Sequence, residues 1–145
     1  MNTSGQNQGA LGSSDHKPKA RRAKILAVFP QFWVEDVKFT AEWYRDFLGF
    51  EIGEYFLDPP VFVHIRRDYI VFQIGRAHEP AAITRPAGGL GCNAYVWTDQ
   101  VDNLNEEFRA KGVRILEGPV DRQYACREIM VEDCNGLRLI FAQRT

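Results

Sequence analysis

The chain has 145 residues, of which 45% are hydrophobic and 26% charged, with a formal net charge of −1. That length suits one domain, and no apolar run approaches the roughly 18 residues that a bilayer-spanning helix needs, so a membrane is not an expected partner. The charge is uneven. Removing the five basic residues and one acidic residue of positions 1–24 from the totals of 18 and 19 leaves 13 and 18, a body carrying −5. An acidic body argues against nucleic acid as the main partner and is compatible with a cationic ligand. Cys92, Cys126 and Cys134 are odd in number and lack CxxC spacing, which argues against a disulfide framework or a zinc ribbon. The N-terminus has no apolar segment of the secretory kind, so a cytoplasmic location is expected.

Residues 1–23, MNTSGQNQGALGSSDHKPKARRA, are rich in Gly, Ser, Asn and Gln and nearly free of large apolar side chains. They cannot bury enough surface to offset the entropy of ordering, and read as a disordered basic tail. The domain then spans 24–145. KILAVFPQFWV reads as a strand, with Phe29, Gln31 and Trp33 on one face and Pro30, Phe32 and Val34 on the other. Pro30 lacks an N–H, which places this strand at an edge, a bulge or an exchange point. Asp36 is a helix cap; Val37, Ala41, Tyr44 and Leu48 follow at helical spacing, and Gly49 stops the helix. FEIGEYF, VFVHIRR and YIVFQIG are three further strands, and residues 79–90 are a linker holding prolines and Gly88-Gly89.

The second half, 91–145, repeats the plan of 24–78. GCNAYVWT reads as a strand with Asn93, Tyr95 and Trp97 on one face. Asp99 is the expected cap of a helix carrying Val101, Leu104 and Phe108, and Gly112 stops it. VRILEG, YACREIMVED and GLRLIFAQ are the last three strands, with a hairpin signal at Asn135-Gly136. Val34, Asp36, Gly49 and Ile52 map by one constant offset onto Trp97, Asp99, Gly112 and Ile115. The expected class is therefore α+β: two tandem βαβββ modules forming a curved mixed sheet around a concave cavity, with the helices on the outer face.

Two segments carry a resemblance to a known family. VEDVKFTAEWYRDFLGFEI and REIMVEDCNGLRLIF resemble the opening and closing motifs of the vicinal oxygen chelate superfamily, which includes glyoxalase I, bleomycin-resistance proteins and extradiol dioxygenases. Cys134 stands where the closing motif usually has proline, and Leu137 where it has asparagine. Metal-using relatives draw one ligand from each of four strands. The resemblance places those positions on Phe29, on Phe72 or Gln73, on Asn93 and on Ile140. Phenylalanine and isoleucine have no lone pair for a divalent ion, so neither a metal nor another cofactor is expected. His64 lies outside the usual ligand strands and reads either as a half-exposed strand residue or as a ligand contact. Glu128 and Glu132 share a strand face and read as exposed carboxylates. No P-loop, nucleophile elbow or dinucleotide fingerprint is present, and no catalytic residue is assigned.

The resemblance implies a protein like the bleomycin-resistance branch, which sequesters a drug-like, planar or cationic molecule in grooves of a homodimer. Phe29, Trp33, Phe72, Tyr95 and Trp97 are the expected stacking surface, with Tyr124 at its mouth. Gln31, Asn93 and Arg138 are the expected hydrogen-bonding groups, and Ile140 lies beside them. The alternative is a glyoxalase-like lyase or ring-cleaving dioxygenase with a metal on an unusual set drawn from Gln31, Gln73, Asn93 and His64.

Overall fold

A computed structural model describes residues 1, 21–79, 82, 83, 85 and 91–145. Most of the basic tail and of the 79–90 linker lies outside the described residues. The chain runs β1 (Gln31–Val34), α1 (Val37–Leu48), β2 (Glu51–Ile52), β3 (Phe62–Arg67), β4 (Ile70–Arg76), β5 (Ala94–Trp97), α2 (Val101–Ala110), β6 (Arg114–Arg122), β7 (Cys126–Glu132) and β8 (Arg138–Arg144). The strands form two mixed sheets of identical plan, β1-β4-β3-β2 and β5-β8-β7-β6. In each, the strand before the helix lies at the edge and pairs parallel with the last strand of its module. The rest of each sheet is antiparallel.

The first helix starts where an acidic side chain can accept an otherwise orphaned N–H: Asp36 Oδ1 takes the proton of Phe39 N at 2.8 Å. It ends at Gly49, whose φ of 72° is a conformation that only glycine adopts without strain. Gly112 repeats this stop with φ 77°. The second helix starts differently from the expectation at Asp99. Its N-cap is Gln100, which makes no side-chain capping bond. The orphaned N–H of Val101 is instead satisfied by Gln143 Oε1 of β8, at 2.9 Å.

Strand alternation divides each sheet into two faces. Phe32, Val34, Val63, Ile65, Phe72 and Ile74 lie under α1; Val96, Ile129, Val131, Leu139 and Phe141 lie under α2; together they form one core. Polar contacts tie the modules together around that core. The buried Tyr44 hydroxyl of α1 donates to Asp133 Oδ2 at 2.9 Å. Asn135 in the β7–β8 turn donates to Thr40 Oγ1 at 3.0 Å. Arg67, at the end of β3, makes a two-pronged pair with Glu107 of α2 and also donates to the Leu48 carbonyl closing α1.

Three strands differ in extent from the expectation. The first begins only at Gln31, and Ile25, Leu26 and Val28 are almost fully exposed. Just upstream of it, the Pro30 carbonyl accepts from Gln73 N at 2.9 Å. Glu51–Ile52 is a two-residue strand, with Phe56 making an isolated bridge to Phe62. The sixth strand continues past Gly118 to Arg122 because two register shifts against β7 let it bend rather than stop.

Candidate functional site

The faces opposite the helices carry the candidate residues. On the first module, Gln31, Gln73 and His64 stand in one row across β1, β4 and β3, and the Gln73 carboxamide contacts the His64 ring nitrogen Nε2 at 3.0 Å. Trp33 stands one step further along, paired with Gly75. A methyl group at position 75 would come within 2.9 Å of the indole. Glycine therefore provides the bed on which Trp33 lies, leaving the ring 42% exposed. Phe29 precedes β1 and meets His64 edge-on, with centroids 6.0 Å apart.

Phe72 is not on this face. It is 1% exposed and packs on Phe32, Tyr44 and Phe50 beneath α1. The expected register slips by one, and Gln73 takes the outward position. Strand parity allows no intermediate: a shift of one residue exchanges the faces.

On the second module, Tyr95 pairs with Ile140 and Trp97 with Ala142. The two rings are 41% and 51% exposed and meet at 70° with centroids 5.4 Å apart. Arg144 holds its guanidinium 5.2 Å from the Trp97 ring centre. Ile140 shares this face but is 3% exposed, a floor rather than a wall. Arg138, half-buried, stands opposite Glu132. Asn93 does not present its oxygen outward: Oδ1 accepts the backbone N–H of Arg138 at 2.9 Å and so ties the start of β5 to β8.

Two hollows run along these faces. The larger, of about 590 Å³, lies between residues 27–30, the start of β4 and β5, and draws together Phe29, Tyr95 and Trp97 from both modules, with Phe72 and Asn93 also in its lining. The second, of about 440 Å³, lies on the first module between Phe29, His64 and Val71. Phe29 and Val71 are common to both. Gln31, Trp33, Arg138 and Ile140 line neither of them.

Glu128 departs most from its expectation. It is 1% exposed and accepts three hydrogen bonds, one from each of three side chains. Oε1 accepts from the Tyr95 hydroxyl at 2.5 Å and the Tyr124 hydroxyl at 3.0 Å, and Oε2 accepts from Arg122 Nε at 2.9 Å. Arg122 in turn clasps Glu117 through both terminal nitrogens. Burial pushes the Glu128 carboxyl up, but the hydrogen bonds from Tyr95, Arg122 and Tyr124 outweigh it and hold it below its ordinary value. Burial followed by the Glu128 bond drives the Tyr95 phenol well up. The sequence signal was available in strand parity, which puts Glu128 on the face of Cys126 and Met130, both buried.

The positions that the resemblance assigns to metal ligands do not fit an ion. Phe29 and Ile140 have no donor atoms, Phe72 faces the core, the Asn93 oxygen is engaged by Arg138, and Gln73, which takes the outward place, stands alone among the four positions with its carboxamide against His64. Among the described residues, no group of three or more His, Cys, Asp or Glu side chains is placed to hold a metal. No helix among them is long and apolar enough to cross a membrane.

Known proteins share this fold. A virulence protein of Salmonella typhimurium strain LT2 is 27% identical over 97 residues, 67% of either chain. The bleomycin-binding protein of bleomycin-producing Streptomyces verticillus, solved with copper(II)-bleomycin, is 25% identical with a TM-score of 0.63, over 83% of this chain and 97% of that one. A glyoxalase-related enzyme from Clostridium phytofermentans has a TM-score of 0.67 over 87% of this chain and 100% of its own; at 13% identity it bears on the fold alone. The match to the family described as Glyoxalase/Bleomycin resistance protein/Dioxygenase superfamily runs over residues 25–141, and the chain belongs to that superfamily.

Proposed function

We propose that the protein binds and sequesters a planar, cationic or drug-like small molecule without transforming it. The observation that carries this reading is the groove of about 590 Å³ in which Phe29, Tyr95 and Trp97 converge, each ring more than two-fifths exposed. Flat apolar faces offer stacking area, and their negative π-clouds favour a cation above them. The −5 charge of residues 25–145 favours the same ligands. The bleomycin-binding relative adds a precedent for small-molecule binding on this scaffold.

The reading includes a second copy of the chain. The module-one face bearing Gln31, Trp33 and His64 is open to solvent, β1 and β5 are sheet edges among the described residues, and Ile25, Leu26 and Val28 expose apolar surface beside β1. A homodimer would close the groove and cover this stretch. Titration with metal-free bleomycin, followed by tryptophan fluorescence, tests the binding claim. Saturable quenching is expected; unchanged emission with bleomycin and with several simpler planar cations contradicts it.

The enzymatic alternative rests on the row Gln31–Gln73–His64. Two amide oxygens and one imidazole are a weak donor set for a divalent ion. Elemental analysis of protein purified without chelators separates the readings, because stoichiometric nickel, zinc, iron or manganese supports the enzyme.

A further inference from the structure

We infer that Glu128 is a positioning residue of the ligand site, its carboxylate holding the Tyr95 and Tyr124 rings as a clamp for a planar cation. This rests on the binding reading above and deepens it, because Tyr124 and Glu128 have no part in the three-ring groove.

The two phenols come from different elements, Tyr95 from the edge strand β5 and Tyr124 from the turn between β6 and β7. Both hydroxyls nevertheless end on the same oxygen, Glu128 Oε1. The turn that brings Tyr124 back over β7 holds Ala125 at φ 57°, a conformation that residues other than glycine adopt sparingly. Each ring is thus anchored at its hydroxyl end, while the residues remain 41% and 56% exposed. An anchored ring loses less freedom when a ligand lies against it than an unanchored surface tyrosine does.

The chemistry also selects charge. A phenol that donates to a carboxylate gains electron density, and its ring face becomes a better partner for a cation. The cluster of Glu117, Glu128 and Arg122 carries a net charge of −1 in its ionised form. Burial of a carboxylate is unfavourable, and apolar replacement of such a group is often neutral or stabilising. Arg122 alone would satisfy one oxygen, whereas the second oxygen is given over to the two rings. A role in shaping the ligand site accounts for that arrangement.

The test uses the full chain and two probes, ethidium as a planar cation and coumarin as a neutral planar ring. Tyr124→Phe keeps the ring and removes its anchor; Glu128→Gln keeps the shape and removes the charge. Each is expected to weaken ethidium binding about three- to tenfold while leaving the response to coumarin unchanged. The double variant is expected to lose no more than the more damaging single one, since both break the same link. If Glu128→Gln does not fold, Tyr124→Phe, at a half-exposed surface ring, carries the test alone. Wild-type binding of ethidium with full affinity retained in Tyr124→Phe overturns the clamp and leaves the binding reading intact. Parallel losses for both probes also overturn it, because they indicate a purely structural role. Failure of the wild type to bind ethidium overturns the clamp, and the binding reading falls separately if bleomycin fails as well.

Discussion

Gly75 sets the position of Trp33 through the absence of a side chain. Its Cβ would lie 2.9 Å from the indole, so Gly75→Ala must push the ring away or strain the β1–β4 pair. Overpacking of this kind costs about 1–3 kcal/mol, and the expected result is a lower urea midpoint together with a shifted tryptophan emission maximum. An unshifted spectrum at wild-type stability contradicts the account of that pair. Glu128 makes a second residue-level prediction. Its carboxyl titrates below the ordinary 4.5 in the folded chain because the bonds from its partners outweigh burial. The stability it contributes is therefore present above that ordinary value and is lost as pH falls through the folded one. Glu107, half-buried and held down by Arg67 and Lys111, acts in the same direction. Asp133 acts in the opposite direction, since burial raises its carboxyl. The unfolding midpoint should fall as pH drops below the ordinary carboxylate value and fall less in Glu128→Gln; an equally steep decline in the variant would place the acid sensitivity elsewhere. At this scale the sequence was legible where alternation had a single solution, as for Trp33 and Tyr95. It misled at Phe72 and Gln73, adjacent residues that either parity could place outward, and at Glu128, whose face was readable from parity but whose partner Tyr95, far away in the chain, was not.

The two helices show how much element boundaries depend on contacts beyond their own segment. Asp36 caps α1 through a bond visible in its local sequence, whereas Asp99 sits at the corresponding point of the repeat and does not cap α2. Asp36→Ala should therefore cost about 1 kcal/mol in denaturant unfolding, and Asp99→Ala much less. Equal losses would contradict the assignment of the α2 start to Gln143. The constant offset between the modules made the order of strands, helices and glycine stops readable, because each depends on nearest neighbours along the chain. It could not reveal the substitution of Gln143 for an acidic cap, since that bond joins residues 42 positions apart. The shortened first strand has a similar cause. Ile25 to Phe29 is a continuous apolar run, but among the described residues it has no neighbouring ladder to complete.

For the molecule as a whole, that unpaired stretch bears on assembly. If a second copy covers it, replacing Ile25, Leu26 and Val28 together by serine should shift the protein from dimer to monomer in light scattering. A wild type that is already monomeric at high concentration contradicts the homodimer. The fold and superfamily were legible from two motifs and a repeat, because both follow from the pattern of the backbone. The site was legible only in part. Its rings come from both modules, and the sequence alone does not show that Phe29 stands across a groove from Tyr95 and Trp97 while Trp33 lies outside it. The central claim is that a ligand lies against the sheet faces opposite the helices. The three tryptophans provide the most direct measurement: Trp33 and Trp97 stand on those faces, while Trp43 stacks on Phe47 along α1. In an ¹⁵N-labelled sample titrated with metal-free bleomycin, the indole N–H signal of Trp97 should move most and that of Trp43 should stay in place. Movement of Trp43 alone, or of none of the three at saturating ligand, would contradict the account.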